Sequence, residues 1–264
     1  MKSRPIGIFD SGVGGLTVLR QIQNIIPRED IIYFGDTARV PYGNKSKQTV
    51  IKFSAENAHF LAKRKVKMII VACNTSSSLS LEHLRGVFDI PIVGVIEAGV
   101  SMALQVSHSM RIGVIGTKST IASESYQKEI RKMNRSAKLY SSSCPLFVPL
   151  VEEGILHGKV VNEVIRMYLR DFKTRKIDTL ILGCTHYPLL KPEIADYLKG
   201  ITIVDSANAV AQYTKSILTE QRLLNDQKEQ GREEFYVSDE PEGFKRLAKL
   251  FLKRKIPNPE LTNA

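Results

Sequence analysis

The sequence predicts an α/β fold of two pseudo-symmetric lobes, each a mostly parallel sheet flanked by helices, with the active site in the cleft between them. Three observations predict it. Short β-branched runs alternate with longer stretches of helical period, similar runs recur at a near-constant offset in the two halves, and polar, reactive residues follow the runs directly.

In chain order the strands are expected at Ile6–Phe9, Ile31–Phe34, Met68–Ala72, Ile92–Val95, Ile112–Ile115, Thr179–Gly183 and Ile201–Val204. Between them, Thr49–Lys63, Ser119–Asn134 and Asn162–Lys173 read as helices. Near the end Phe244, Leu247, Ala248 and Phe251 recur at helical spacing, and the preceding Glu-Pro-Glu suits a helix start.

The repeat emerges once the strands are placed. IIVACNTSSS and LILGCTHYPL each end a strand in a cysteine followed by polar residues, and Cys73 and Cys184 are 111 residues apart. Ile90 and Ile201, which open IPIVG and ITIVD, are also 111 apart, while IGIFDSG from Ile6 and IGVIGTK from Ile112 are 106 apart. Loop insertions account for so small a drift. One lobe is therefore expected to comprise residues 1–96 with 207–264 packing back onto it, and the other residues 97–206. No Gly/Ser-rich linker marks the boundaries.

At 264 residues, 43% hydrophobic and 25% charged, the chain has the composition of a soluble globular protein. The apolar run after the N-terminus is too short for a signal peptide, and none elsewhere is long enough to cross a bilayer, so a cytoplasmic protein is expected and no membrane partner. The net charge of +11 raises the question of nucleic acid. Its clusters, Lys63 to Lys67, Arg131 to Arg135 and Lys253 to Lys255, lie at the ends or polar faces of expected helices without interleaved aromatics. Solvated faces explain them, and nucleic acid is not expected as the primary partner.

In open parallel sheets, ligands bind outside the carboxyl ends of the strands. Asp10 and Ser11 follow the first strand, DTARVPYG the second, Cys73, Asn74 and Thr75 the third, and Cys184, Thr185 and His186 the matching strand of the second lobe. The N-cap-rich Asn-Thr-Ser-Ser-Ser after Cys73 puts its thiol near a helix N-terminus, which lowers a thiol pKa. Pro188 suits the first helical turn after Cys184. Taken alone, either cysteine is as readily a buried small hydrophobe; as a pair at matching strand ends they are less easily dismissed.

Alternatives are weaker. Three widely spaced cysteines do not form a disulfide framework, and Cys184 with His186 lacks the paired ligands of a structural zinc site. His59, His83, His108 and His157 show no ligand spacing, and DSGVGGL is neither a dinucleotide fingerprint nor a Walker loop. One cysteine with a histidine would suggest a covalent nucleophile. Two, each with an acid or imidazole nearby, suggest proton removal from one face of a stereocentre and delivery to the other. Asp10 would act on the Cys73 side, and His186 with Glu152 on the Cys184 side. Singly, Asp10 is equally a helix cap and Glu152 a solvated side chain of the VEEG turn.

The motifs GIFDSGVGGLTVL, DTARVPYG, VACNTSSS, CPLFVPLVEEG, LGCTHYPLL and FYVSDEPEGFKRLAKLFL resemble, in order and spacing and over nearly the whole chain, those of the glutamate racemases in the cofactor-independent aspartate/glutamate racemase family. Ser76 and Ser78 depart from the expected alanines, with little consequence for the chemistry. The resemblance implies that Cys73 and Cys184 are the acid/base pair, Cys73 handling the proton of the D enantiomer and Cys184 that of the L. It implies that Asp10, Glu152 and His186 assist them, and that Asp10, Ser11, Tyr42, Gly43, Asn74, Thr75, Thr185 and His186 hold glutamate. It further implies no pyridoxal phosphate or metal, D-glutamate for peptidoglycan synthesis, and a homodimer. A related racemase acting on aspartate or another small acidic substrate is the alternative. Some members carry an N-terminal extension that binds an activating cell-wall precursor. Five residues precede Ile6, so no such dependence is expected.

Overall fold

The computed structural model describes residues 1–262. The chain runs through β1 (Ile6–Asp10), α1 (Leu16–Ile25), β2 (Ile31–Gly35), α2 (Lys47–Lys63), β3 (Met68–Val71), α3 (Asn74–Val87), β4 (Ile92–Gly94) and α4 (Val95–Val106). It continues through β5 (Arg111–Gly116), α5 (Lys118–Ala122), α6 (Ser125–Met133), β6 (Lys138–Ser143), α7 (Phe147–Glu152), α8 (Lys159–Thr174), β7 (Thr179–Gly183), α9 (Lys191–Tyr197) and β8 (Thr202–Asp205). The last elements are α10 (Ser206–Glu220), β9 (Glu233–Val237), α11 (Pro241–Leu252) and β10 (Glu260–Leu261).

Two parallel sheets result, one ordered β10-β9-β2-β1-β3-β4 and the other β6-β5-β7-β8. The second repeats the order β2-β1-β3-β4 of the first, which is the repeat read from the sequence. Side chains alternate across each sheet. In the first, Phe9, Ile69 and Val71 meet Phe60, Leu61 and Leu81 of α2 and α3, while Ile8, Met68 and Ile70 face the core that includes Leu19 and Ile22 of α1. In the second, Val114 and Ile181 pack with Ile96 and Val100 of α4, and Leu180 and Leu182 belong to the core that includes Ile165 and Leu169 of α8. Both faces are covered, as parallel sheets require. Helix α10 lies against α1 and α4, so it packs against helices flanking both sheets.

The structure differs from expectation in several places, and α1, α7, α9 and β10 are among the elements not read from the sequence. Ser119–Asn134 is not one helix but α5 and α6, broken where Glu124 takes the left-handed conformation at φ 55°. Strands β6 and β9 escaped detection because their inward and outward residues are polar or mixed, as in KLYSSS. Helix α4 lacks a polar stripe to betray its period, since neighbours bury it on several sides, whereas α10 opens on small and apolar residues and shows its exposed face only from Gln212 onward. No helix among the described residues is long and apolar enough to cross a membrane.

Candidate active site

Strand β3 delivers Cys73 to its carboxyl end, where it is the N-cap residue of α3 and 6% exposed. The helix N-terminus does not lower its pKa as expected. Burial pushes the thiol up to about 11, with the Asp10 charge acting in the same direction, against the Ser76 N–H and the Ser11 hydroxyl. Desolvation of a thiolate outweighs the two donors.

Strand β7 delivers Cys184 in the same way, also 6% exposed. Its Sγ lies 3.9 Å from Nδ1 of His186, and Nε2 of that ring lies 3.1 Å from Oε1 of Glu152. Burial lowers the imidazole pKa, but the contacts with Cys184 and Glu152 prevail and raise it to about 10. His186 is then an imidazolium at neutral pH, donating from one nitrogen toward sulfur and from the other to the carboxylate. Phe251 of α11 meets the ring edge-on at 5.5 Å.

Asp10 ends β1, wholly buried, and does not cap α1, whose N-cap is Gly15. Its Oδ2 accepts from the Gly12 N–H at 3.1 Å, and its Oδ1 has no hydrogen-bond partner. Burial raises its pKa, opposed first by the positive charge of His186. Its charge is thus felt by both Cys73 and His186. The glycine turn after it packs into the second lobe: a Cβ on Gly14 would stand 2.2 Å from Thr185 Oγ1, and one on Gly15 would stand 2.6 Å from the Asp10 Cβ. Here glycine is required for close approach.

Both thiols line one small cavity of about 30 Å³. Ser11, Tyr42 and Gly43 line it from the first lobe with Asn74 and Thr75, and Thr185 and His186 from the second. Of the expected residues, Asp10 and Glu152 stand behind this wall, Asp10 beside Cys73 and Glu152 beyond His186.

Sequence reasoning missed Thr117, which lines the cavity and shares a hydroxyl cluster with Thr75 and Thr120 at 3.0 and 2.9 Å. The repeat held the signal, because Thr117 lies 106 residues after Ser11 at the end of the matching strand. It also missed Asp36. This buried carboxylate accepts from Arg39 Nε at 2.9 and 2.7 Å, from the Tyr42 hydroxyl and from Ser238 Oγ at 2.9 Å. Asn57 Nδ2 donates to the Tyr42 oxygen at 3.1 Å. The network fixes the Tyr42–Gly43 corner, and no local signal marks Ser238 as its member. Among the described residues no group of three or more His, Cys, Asp or Glu is disposed to hold a metal ion.

Residues 6–214 match the profile of the family described as Asp/Glu/Hydantoin racemase. The glutamate racemase of Aquifex aeolicus is 47% identical over 258 residues, covering 98% of this chain and 97% of its own. The crystal structure of glutamate racemase from Francisella tularensis in complex with D-glutamate superposes with a TM-score of 0.94 at 41% identity, covering 100% of this chain and 98% of that one. Isoform RacE1 from Bacillus anthracis gives a TM-score of 0.96 at 36% identity, with coverage of 100% and 98%.

Proposed function

The chain belongs to the Asp/Glu/hydantoin racemase family, and on that premise we propose that it interconverts L-glutamate and D-glutamate by passing the Cα proton between two thiols. The observation that carries this reading is that Cys73 and Cys184, from different sheets, line one cavity. We take residues 1–96 with 207–264 as one lobe and 97–206 as the other, closing on the substrate from two sides.

The two sides differ in their resting charge. Burial keeps Cys73 a thiol at neutral pH, ready to donate. On the other side the charged His186 imidazolium faces the Cys184 sulfur at 3.9 Å, and its contact with Glu152 helps keep it charged. From L-glutamate, the Cys184 thiolate removes the Cα proton and the Cys73 thiol delivers one to the opposite face. From D-glutamate the transfers reverse: the Asp10 carboxylate, whose raised pKa narrows the gap to the thiol, first accepts the Cys73 proton and the His186 imidazolium gives its proton to the Cys184 thiolate. The Cys73 thiolate then removes the Cα proton and the Cys184 thiol delivers one to the opposite face. The scheme needs neither pyridoxal phosphate nor a metal.

Charge developing on the substrate α-carboxylate is met by preorganised donors: the hydroxyls of Ser11, Thr75 and Thr185 and the Tyr42–Gly43 corner. The Asn74 amide binds a substrate carboxylate. Closing of the two lobes on the bound substrate would exclude water from the carbanion. The chain works in the bacterial cytoplasm as a homodimer and supplies D-glutamate for peptidoglycan synthesis.

Each enantiomer incubated in D₂O tests the scheme. Deuterium should enter Cα with inversion, and Cys73→Ala or Cys184→Ala should abolish racemisation; full activity in either variant overturns it. Polarimetry with L-aspartate in parallel tests the substrate, and faster turnover of aspartate would overturn glutamate as the assignment.

A further inference from the structure

Tyr126 has no part in the chemistry above, yet it touches both halves of the site. It belongs to α6, packed with the second sheet, and is 1% exposed. Its hydroxyl donates at 2.8 Å to Oδ1 of Asn74, the residue after Cys73. Its ring abuts Gly183, the residue before Cys184, where an added Cβ would stand 3.2 Å from Cε2. Burial pushes the phenol pKa up, so the hydroxyl keeps its proton across the working pH range.

A primary amide has one accepting and one donating end, and the two are nearly the same shape. Packing alone therefore does not choose which end of Asn74 faces the cavity it lines. Tyr126 claims the oxygen. Among the described residues nothing accepts from Nδ2, which leaves that end free to face the ligand. If the phenol accepted from Nδ2 instead, the Asn74 carbonyl would be turned on an anionic substrate.

We propose that Tyr126 is a positioning residue for the reaction, locking the Asn74 carboxamide so that it presents N–H donors to a carboxylate of the substrate. The inference rests on the reading of the cavity as a glutamate site. Loss of one hydrogen bond to a charged group corresponds to about tenfold or more in affinity.

The test compares wild type, Tyr126→Phe, Asn74→Leu and the double variant, with kcat and KM measured by circular dichroism in both directions. Tyr126→Phe should raise KM about tenfold for both enantiomers while kcat stays within about twofold, as expected when ground-state and transition-state binding fall together. Asn74→Leu should do at least as much, and the double variant should be no worse than Asn74→Leu. A merely structural role would lower kcat at constant KM and multiply in the double variant. Wild-type KM in Tyr126→Phe, or factors that multiply, overturns the proposal. Should Tyr126→Phe not fold, wild type labelled with ¹⁵N-asparagine decides: the Asn74 Nδ2 resonances should shift on addition of D-glutamate, and unchanged resonances overturn it. Wild type inert toward glutamate would overturn the functional reading itself, and this inference with it. An active wild type whose Tyr126→Phe variant is unaltered overturns only the inference.

Discussion

A methyl group on Gly14 would stand 2.6 Å from Nδ1 of His186, the ring nitrogen that faces the Cys184 sulfur. The glycine turn of the first lobe thus reaches the imidazole of the second, and Thr17 adds a contact with the Thr185 carbonyl oxygen at 3.4 Å. The packing of this turn against Thr185 helps set the position of His186.

Gly14→Ala should therefore displace His186 and lower kcat/KM about a hundredfold, since misplacement by about 1 Å costs that much. The melting temperature should change little, because the turn lies at the lobe contact outside either sheet. Steady-state kinetics beside a thermal melt check this, and wild-type kcat/KM in a folded variant would refute the contact.

Glu152 helps to hold the His186 imidazolium, whose pKa is raised to about 10. The protonated form is present below that value and lost above it. Removing the carboxylate in Glu152→Gln lowers the pKa, so the alkaline limb of kcat/KM for L-glutamate should move at least about one pH unit toward neutrality. A limb that stays in place between pH 7 and 10.5 would count against the role assigned to Glu152.

Lys67 and Glu29 form an ion pair at 2.5 Å with both side chains 1% exposed. Lys67 Nζ also donates to the carbonyls of Lys2 and Leu223 at 2.6 and 2.9 Å, and Glu29 Oε1 accepts from the Asn225 N–H at 2.8 Å. The pair ties the N-terminus and the segment after α10 to the first sheet. Lys67→Met leaves a buried carboxylate without its counter-charge and should cost about 3–5 kcal/mol. Lys67→Met with Glu29→Leu should recover part of that loss, as read by urea denaturation. Equal losses in the single and double variants would show that the uncompensated charge is not the cause.

Most strands and the matching of the two sheets were legible in the sequence, because β-branched runs and the turns that end them are local. The placement of Met68–Ala72 and Thr179–Gly183 falls within one residue of β3 and β7. Strand β6 was not read directly, although the repeat implies a counterpart of β2 near residue 137, since its exposed edge carries no apolar run. Helix α5 was joined to α6 because the pattern continues across Glu124 while the backbone does not. Within the site, residues at strand ends were readable. Asp36 was read only as part of DTARVPYG and Thr117 was left unread although the repeat points to it, while Tyr126 acts through Asn74, 52 residues away.

The sequence by itself determined that Cys73 and Cys184 stand at equivalent ends of equivalent strands, because strand period, turn and helix start are set by neighbours a few residues away. Only the tertiary structure decided what surrounds each thiol. Burial overrides the helix N-terminus at Cys73 and raises its pKa, whereas a glutamate 34 residues distant helps hold the histidine beside Cys184 charged. Desolvation and charge coupling depend on what packs within a few ångströms. Chain closure sets that neighbourhood, and residue order alone does not encode it locally.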